Sequence, residues 1–190
     1  SSRQRPGTGE MTVKQIINLV KLEYKQEELL IKSLGTYNCR IGRYCKRTDQ
    51  SFVDRLERKA PKTMRELNEA WYGTYNESPT HYDHTRYHFL NLHALFTKGT
   101  IEWRGQNGSL HAGEVKARII LALAMTAKAI NARCASAKGR RTYSETSAKY
   151  DMRILLLHLE LNGEEFKNTR MHLLKYLPGD AAFKRARRAA

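Results

Sequence analysis

Glu102 and Arg104 stand two residues apart in Thr100-Ile101-Glu102-Trp103-Arg104, where apolar and polar residues alternate. In an extended strand that spacing puts both polar side chains on one face and Ile101 and Trp103 on the other. A carboxylate can hold a hard cation, and a guanidinium can grip a phosphate through two parallel hydrogen bonds. Asn91 and His93 alternate in the same way with Leu90, Leu92 and Ala94, which predicts a second strand. Lys98-Gly99 supplies the turn between them. The expectation is a β-hairpin whose polar face carries Asn91, His93, Glu102 and Arg104.

Two other groups of chemistry-bearing residues invite a reading. His81, His84 and His88, with Asp83, have spacings that could place ligands around a metal, since His84 and His88 share a face on a helix. The surrounding Tyr- and Thr-rich run leads directly into the strand, and surface or hydrogen-bonded histidines are the preferred reading. Cysteines occur at 39, 45 and 134, an odd number at uneven spacing, so neither a disulfide framework nor a zinc knuckle is predicted. Cys45 lies among Arg43, Lys46 and Arg47, whose charge could lower its pKa. Nothing else in the sequence marks it as a nucleophile. No metal site is predicted.

Charge is the strongest compositional signal: 34 Lys plus Arg against 19 Asp plus Glu, a formal +15. Most of the excess falls in three short segments. The first holds Arg40, Arg43, Lys46 and Arg47. The second holds Arg133, Lys138, Arg140, Arg141 and Lys149, and the third Lys184, Arg185, Arg187 and Arg188. Such clustering reads as a polyanion footprint, and Tyr37, Tyr44, Tyr143 and Tyr150 are interleaved where bases could stack. No helix-turn-helix, zinc-finger or RNA-binding motif is visible, so binding to the phosphate backbone is expected over sequence readout.

The elements that must position these residues are mostly helical. Residues 1–11 read as a flexible leader. Thr12 and Gln15 form a capping box opening a long helix with Val13, Ile16, Ile17, Val20 and Tyr24 on one face, and Gly35 stops it. Cys39 to Arg47 is ambiguous. Thr63 and Glu66 form another capping box before Met64, Leu67 and Trp71. A helix from Glu114 to about Ala132 is expected to turn Val115, Ile119, Ala122 and either Leu123 or Met125 inward. A basic loop covers 135–147. Two further helices carry Ile154, Leu155, His158 and Leu161, then Phe166, Leu173, Leu174 and Leu177. The fold class is α+β, mostly helical with one small antiparallel sheet. A single domain spans 12–180, followed by a basic tail at 181–190. No apolar run is long enough to cross a bilayer, which predicts a cytoplasmic protein without membrane contact.

Trp71-Tyr72-Gly73, Arg86-Tyr87-His88, the run from Leu90 to Phe96, Gly99 to Arg104 and Asn107 to Ala117 together resemble the amidoligase family. Arg43-Tyr44-Cys45-Lys46 and Gly163 to Lys167 are similar to it too, so the resemblance covers roughly 12–180. Such proteins are ATP- and magnesium-dependent carboxylate–amine ligases. The resemblance implies that Arg104 faces ATP phosphate and that Glu102 supports metal or substrate. It also implies an N-terminal part with paired acidic residues on a strand and a His-x-His strand, which the residues before Thr12 do not supply. Gly105-Gln106 departs as well, standing where bulky apolar residues are usual.

These features lead to the expectation of a non-catalytic, nucleic-acid- or nucleoprotein-binding descendant of an amidoligase that uses no cofactor and is able to pair as a homodimer. Proteins of this size and charge are expected on phages and mobile elements, and the narrowest expectation is an anti-CRISPR inhibitor of an RNA-guided CRISPR nuclease. The alternative is an amidoligase completed by a partner chain. It would use ATP and Mg, with Glu102, Arg104, Asn91 and His93 as its catalytic residues.

Overall fold

The computed structural model describes residues 10–135 and 139–184, so Lys138, Arg185, Arg187 and Arg188 lie outside the described residues, as do residues 1–9 of the leader. Its centre is α1 (Val13–Ser33), which packs against α6 (Ala112–Asn131) and α7 (Ala148–His158); α6 and α7 also contact α8 (Lys167–Leu174). Ile16, Leu19, Val20, Tyr24, Leu30 and Ile31 of α1 are buried, as their helical spacing predicts. Both halves of the predicted capping box are present: Thr12 accepts from the Gln15 amide, and Gln15 accepts from the Thr12 amide. The helix ends at Leu34, and Gly35 follows with φ +60°.

The short α2 (Asn38–Ile41) follows, then α3 (Gln50–Lys59) and α4 (Met64–Tyr72), which pack on each other. The Thr63–Glu66 capping box opens α4, and Leu67 and Trp71 are buried while Met64 is exposed. Helix α3, absent from the sequence reading, buries only Phe52, Val53 and Leu56. Three inward residues in ten make a faint periodic signal.

The hairpin forms, but shorter than its alternation predicts. Strand β1 is Leu90–Asn91 and β2 is Glu102–Trp103, antiparallel, with Leu90 opposite Trp103 and Asn91 opposite Glu102. The strand expected to reach Ala94 stops at Asn91. Leu92 turns into the right-handed region (φ −86°, ψ −12°), and α5 (His93–Lys98) follows, closed by Gly99 at φ +72°. Asn91, Leu92, His93 and Ala94 are all buried. Their alternation of polarity is therefore not an alternation of core and solvent, and a helical turn lets Leu92 and His93 both pack inward. A backbone bridge adds a third segment beside β1, with the Lys46 amide donating to Tyr87 and the Phe89 amide to Lys46, both at 2.7 Å.

Helix α6 turns inward a different face from most of the one expected: Met125, one of the two alternatives, is buried, but Val115 and Ile119 are not. Ala117, Leu121, Met125 and Ala129 are buried, whereas Val115, Ile119 and Leu123 face outward. The helix is apolar on two sides, so its own pattern does not choose between them. Contact with α1 and α8 does, and the small Ala117 and Ala129 sit on the inward side.

Candidate functional site

The register that sets Asn91 opposite Glu102 brings their side chains together, and the Asn91 Nδ2 donates to Glu102 Oε2 at 2.7 Å. Arg104, two residues beyond Glu102 on the same face, donates through Nη1 to both carboxylate oxygens at 3.0 and 3.1 Å. Its Nε donates to the Tyr44 carbonyl at 3.1 Å. The guanidinium also lies 5.4 Å from the centre of the Tyr87 ring, and that of Arg86 lies 5.6 Å from the same ring. Two cations thus converge beside one carboxylate. Burial pushes the Glu102 carboxyl up, but the Asn91 amide and the charge and hydrogen bonds of Arg104 outweigh it, and the net is below the usual carboxylate range. Glu102 is ionised at neutral pH.

His93 is brought near but belongs to a second group. Its Nδ1 shares a 2.6 Å hydrogen bond with the Tyr72 hydroxyl, a partner that its sequence neighbours do not suggest. Burial holds the imidazole below its usual range, against the opposing charge of Asp83. Burial also pushes the Tyr72 phenol up. Among the described residues Asn91 Oδ1 is buried without a hydrogen-bond partner, and the second ring nitrogen of His93 has only the Thr80 backbone near it. In a native core such atoms are few, and they mark either a functional site or a position for water.

The backbone just past Arg104 is clamped by the segment after α1. Thr36 Oγ1 donates to the Gly105 carbonyl at 2.6 Å, and Asn107 Nδ2 donates to the Gly35 carbonyl at 2.6 Å. Arg40 reaches two carbonyls, with Nη2 donating to that of Arg104 at 3.0 Å and Nη1 to that of Gln106.

The basic clusters do not act as single groups. Besides Arg40, Arg47 pairs with Glu28, Arg140 with the fully buried Glu27 and the Thr48 carbonyl, and Arg141 with Asp151 at 2.6 Å. Arg43, Lys46, Arg133, Lys149 and Lys184 make no ion pair among the described residues; all but the half-buried Lys149 are exposed. Charge counting along the chain does not separate these two sets, because the acidic partners are up to 113 residues away.

The histidine spacing does not build a metal centre. His88 Nδ1 donates to the Thr85 carbonyl at 2.7 Å, its Nε2 sits 3.4 Å from Asp49 and its ring packs edge-on against Trp71, while His81 and His84 are exposed. Among the described residues, no group of three His, Cys, Asp or Glu side chains is placed to hold a metal ion. Cys45 is fully buried, and burial pushes its thiol up against the lowering charges of Arg40, Arg104 and Arg47. The lowered pKa suggested by its basic neighbours is not what the structure gives.

The family model described as "Putative amidoligase enzyme" matches residues 6–126, which takes in the whole hairpin and most of α6. The chain belongs to that family. The match ends at residue 126, whereas the sequence resemblance extends to about 180. No curated protein and no solved structure matches the chain. Among the described residues no helix of this amidoligase-family chain is long and apolar enough to cross a membrane.

Amidoligase membership implies ATP and magnesium, and the residues present can be weighed against each. A phosphate fits the hairpin face, where Arg104 is oriented by Glu102 and Tyr44, with its Nη2 without a partner among the described residues and Arg86 nearby. Magnesium does not fit at Glu102 alone. Both carboxylate oxygens are taken by Arg104, one of them also by Asn91, and among the described residues Glu102 belongs to no group of three His, Cys, Asp or Glu side chains that could hold a metal ion.

Proposed function

We propose that this chain supplies the anion-binding wall of a carboxylate–amine ligase site, with Arg104 as the residue that meets a nucleotide phosphate. The observation that carries this reading is the connected set Asn91, Glu102 and Arg104 on one face of the hairpin. Glu102 has the role of holding Arg104 in place, since a carboxylate beside a guanidinium fixes the plane of its donors. Asn91 in turn fixes Glu102. When bound, ATP would activate the carboxylate substrate as an acyl phosphate. Carboxylates for the metal come, on this reading, from another segment or a partner chain, and no step through magnesium is assigned to the residues described.

The test is equilibrium binding of a fluorescent ATP analogue to the full chain. Replacing one charge-assisted contact by Arg104→Gln should weaken binding by about tenfold or more, given roughly 1.5–3 kcal/mol for hydrogen bonds to charged groups. Arg43→Gln should leave it unchanged. Absence of nucleotide binding, or equal affinity of Arg104→Gln and wild type, overturns the reading.

A second reading, contact with nucleic acid, is favoured by Arg43, Lys46, Arg133 and Lys184, exposed and without an ion pair among the described residues, and by the exposed Tyr44 next to Arg43 in the chain. Labelled DNA or RNA should then bind with steep salt dependence, and Arg43→Glu with Lys46→Glu should abolish binding. Negligible binding at low salt removes it. The narrower expectation of an inhibitor of an RNA-guided nuclease rests on size and charge alone, and unimpaired target cleavage in the presence of the protein would end it.

A further inference from the structure

Among the described residues nothing covers the outward stripe of α6. Val115, Ile119, Leu123 and Ile130 are all exposed, Ile119 at 52% and Leu123 at 65%, although the opposite side of the same helix is core. At 1.5 Å per residue the stripe runs about 22 Å, the length of four helical turns. Isolated surface leucines are ordinary, but an aligned row of four on one helix marks an interaction face. Near the Ile130 end lies a concavity of about 160 Å³ between α6 and the end of α7, lined by Ala124, Ala127, Lys128, His158, Leu159 and Glu160. Its alanine floor gives room for one large apolar side chain.

The charge around the stripe narrows the occupant. Lys116 and Lys128 are exposed on α6, Arg133 is exposed just beyond it, and none of the three makes an ion pair among the described residues. Glu114, the only acid of α6, is tied to Ser109, Arg118 and Lys175, which leaves Glu160 as the single acid at the concavity. Two copies meeting through this stripe would set Lys116, Lys128 and Arg133 against their own kind. An acidic partner would not.

We infer that the outer face of α6 docks an acidic amphipathic helix of a partner protein, whose apolar row lies along Val115, Ile119 and Leu123 and whose terminal large side chain enters the concavity beside Lys128. This is the helix-on-helix mode of recognition, in which apolar anchors supply affinity and flanking charges supply register and rate. It is independent of the hairpin reading.

The test uses the full chain and a labelled designed peptide of about three heptads, with Leu at the two core positions and Glu at most others. A control peptide keeps the charge and replaces the leucines by Ser. The Leu peptide should bind saturably, about tenfold or more tighter than the control, and Leu123→Glu and Ile119→Glu should each weaken it by about tenfold or more. Both positions face solvent, so circular dichroism should show an unchanged fold. Equal binding of the two peptides, or indifference to both variants, overturns the inference in favour of bulk electrostatics. Wild-type dimerisation in sedimentation equilibrium that Leu123→Glu abolishes overturns it in favour of a second copy.

Discussion

The ring of Phe89 occupies the space into which a side chain at position 105 would point: a Cβ on Gly105 would lie 1.9 Å from Phe89 Cε2. This accounts for the departure at Gly105-Gln106, where the family resemblance leads one to expect bulky apolar residues. The fully buried ring comes from the neighbouring segment and fills the volume instead. Gly105→Ala should therefore destabilise by at least about 1–3 kcal/mol, the usual cost of overpacking. Phe89→Leu in that background should recover part of the loss. Chemical denaturation of the two single variants and the double variant measures the coupling; additive losses would mean the ring and the glycine do not compete for space.

Arg40 and Arg43 are three residues apart and should behave differently. Arg40 holds the Arg104 and Gln106 carbonyls, whereas Arg43 is exposed and unpaired among the described residues. Arg40→Ala should cost about 1–3 kcal/mol by freeing two acceptors next to the hairpin. Arg43→Ala should fall within about 0.5 kcal/mol of wild type. Thermal unfolding of both decides it, and equal losses would contradict the clamp.

Glu23 and Glu27 sit one turn apart, both fully buried, under Thr48 and Arg140. Burial, then the charge of Glu27, pushes the Glu23 carboxyl well above its ordinary range, against the lowering hydrogen bond from Thr48. A raised folded pKa means the folded state holds the proton more tightly than the unfolded chain. The stability from this site is full below the ordinary carboxylate pKa and is lost as pH rises through the folded value. Glu23→Gln removes that loss, so its melting temperature relative to wild type should climb from pH 5 to pH 8. The limit is about 1.4 kcal/mol per pH unit for one proton. A difference independent of pH would show that Glu23 does not titrate in this interval.

Asn91→Asp tests the hairpin cluster by charge alone. In the wild type Glu102 is held below the usual range, so its contribution is present above its unfolded pKa and fades as pH falls through the folded one. A second carboxylate at position 91 would replace a donor to Glu102 by a like charge and reverse that sign. The variant should be less stable than wild type at pH 7 and should regain stability on acidification toward pH 4. A parallel pair of pH profiles would mean that Asn91 and Glu102 are not coupled.

Local chemistry was enough wherever a short stretch carried its own answer. Thr12 with Gln15 and Thr63 with Glu66 open their helices because the bonds that satisfy free amides there span three residues. The shared face of Glu102 and Arg104 follows from the two-residue repeat of a strand, and the match over 6–126 follows from residue order alone. What the tertiary structure decided involves distant partners. The alternation from Leu90 to Ala94 could not reveal that both sides of the chain are buried there, which is what turns Leu92 into a helix. The apolar pattern of α6 was satisfied by either face until α1 and α8 took one. Arg140 reads as an open cation until Glu27, on a helix more than a hundred residues earlier, is placed beside it. Capping and strand alternation are short-range and written in neighbouring residues; burial and ion pairing are set by packing between segments remote in sequence.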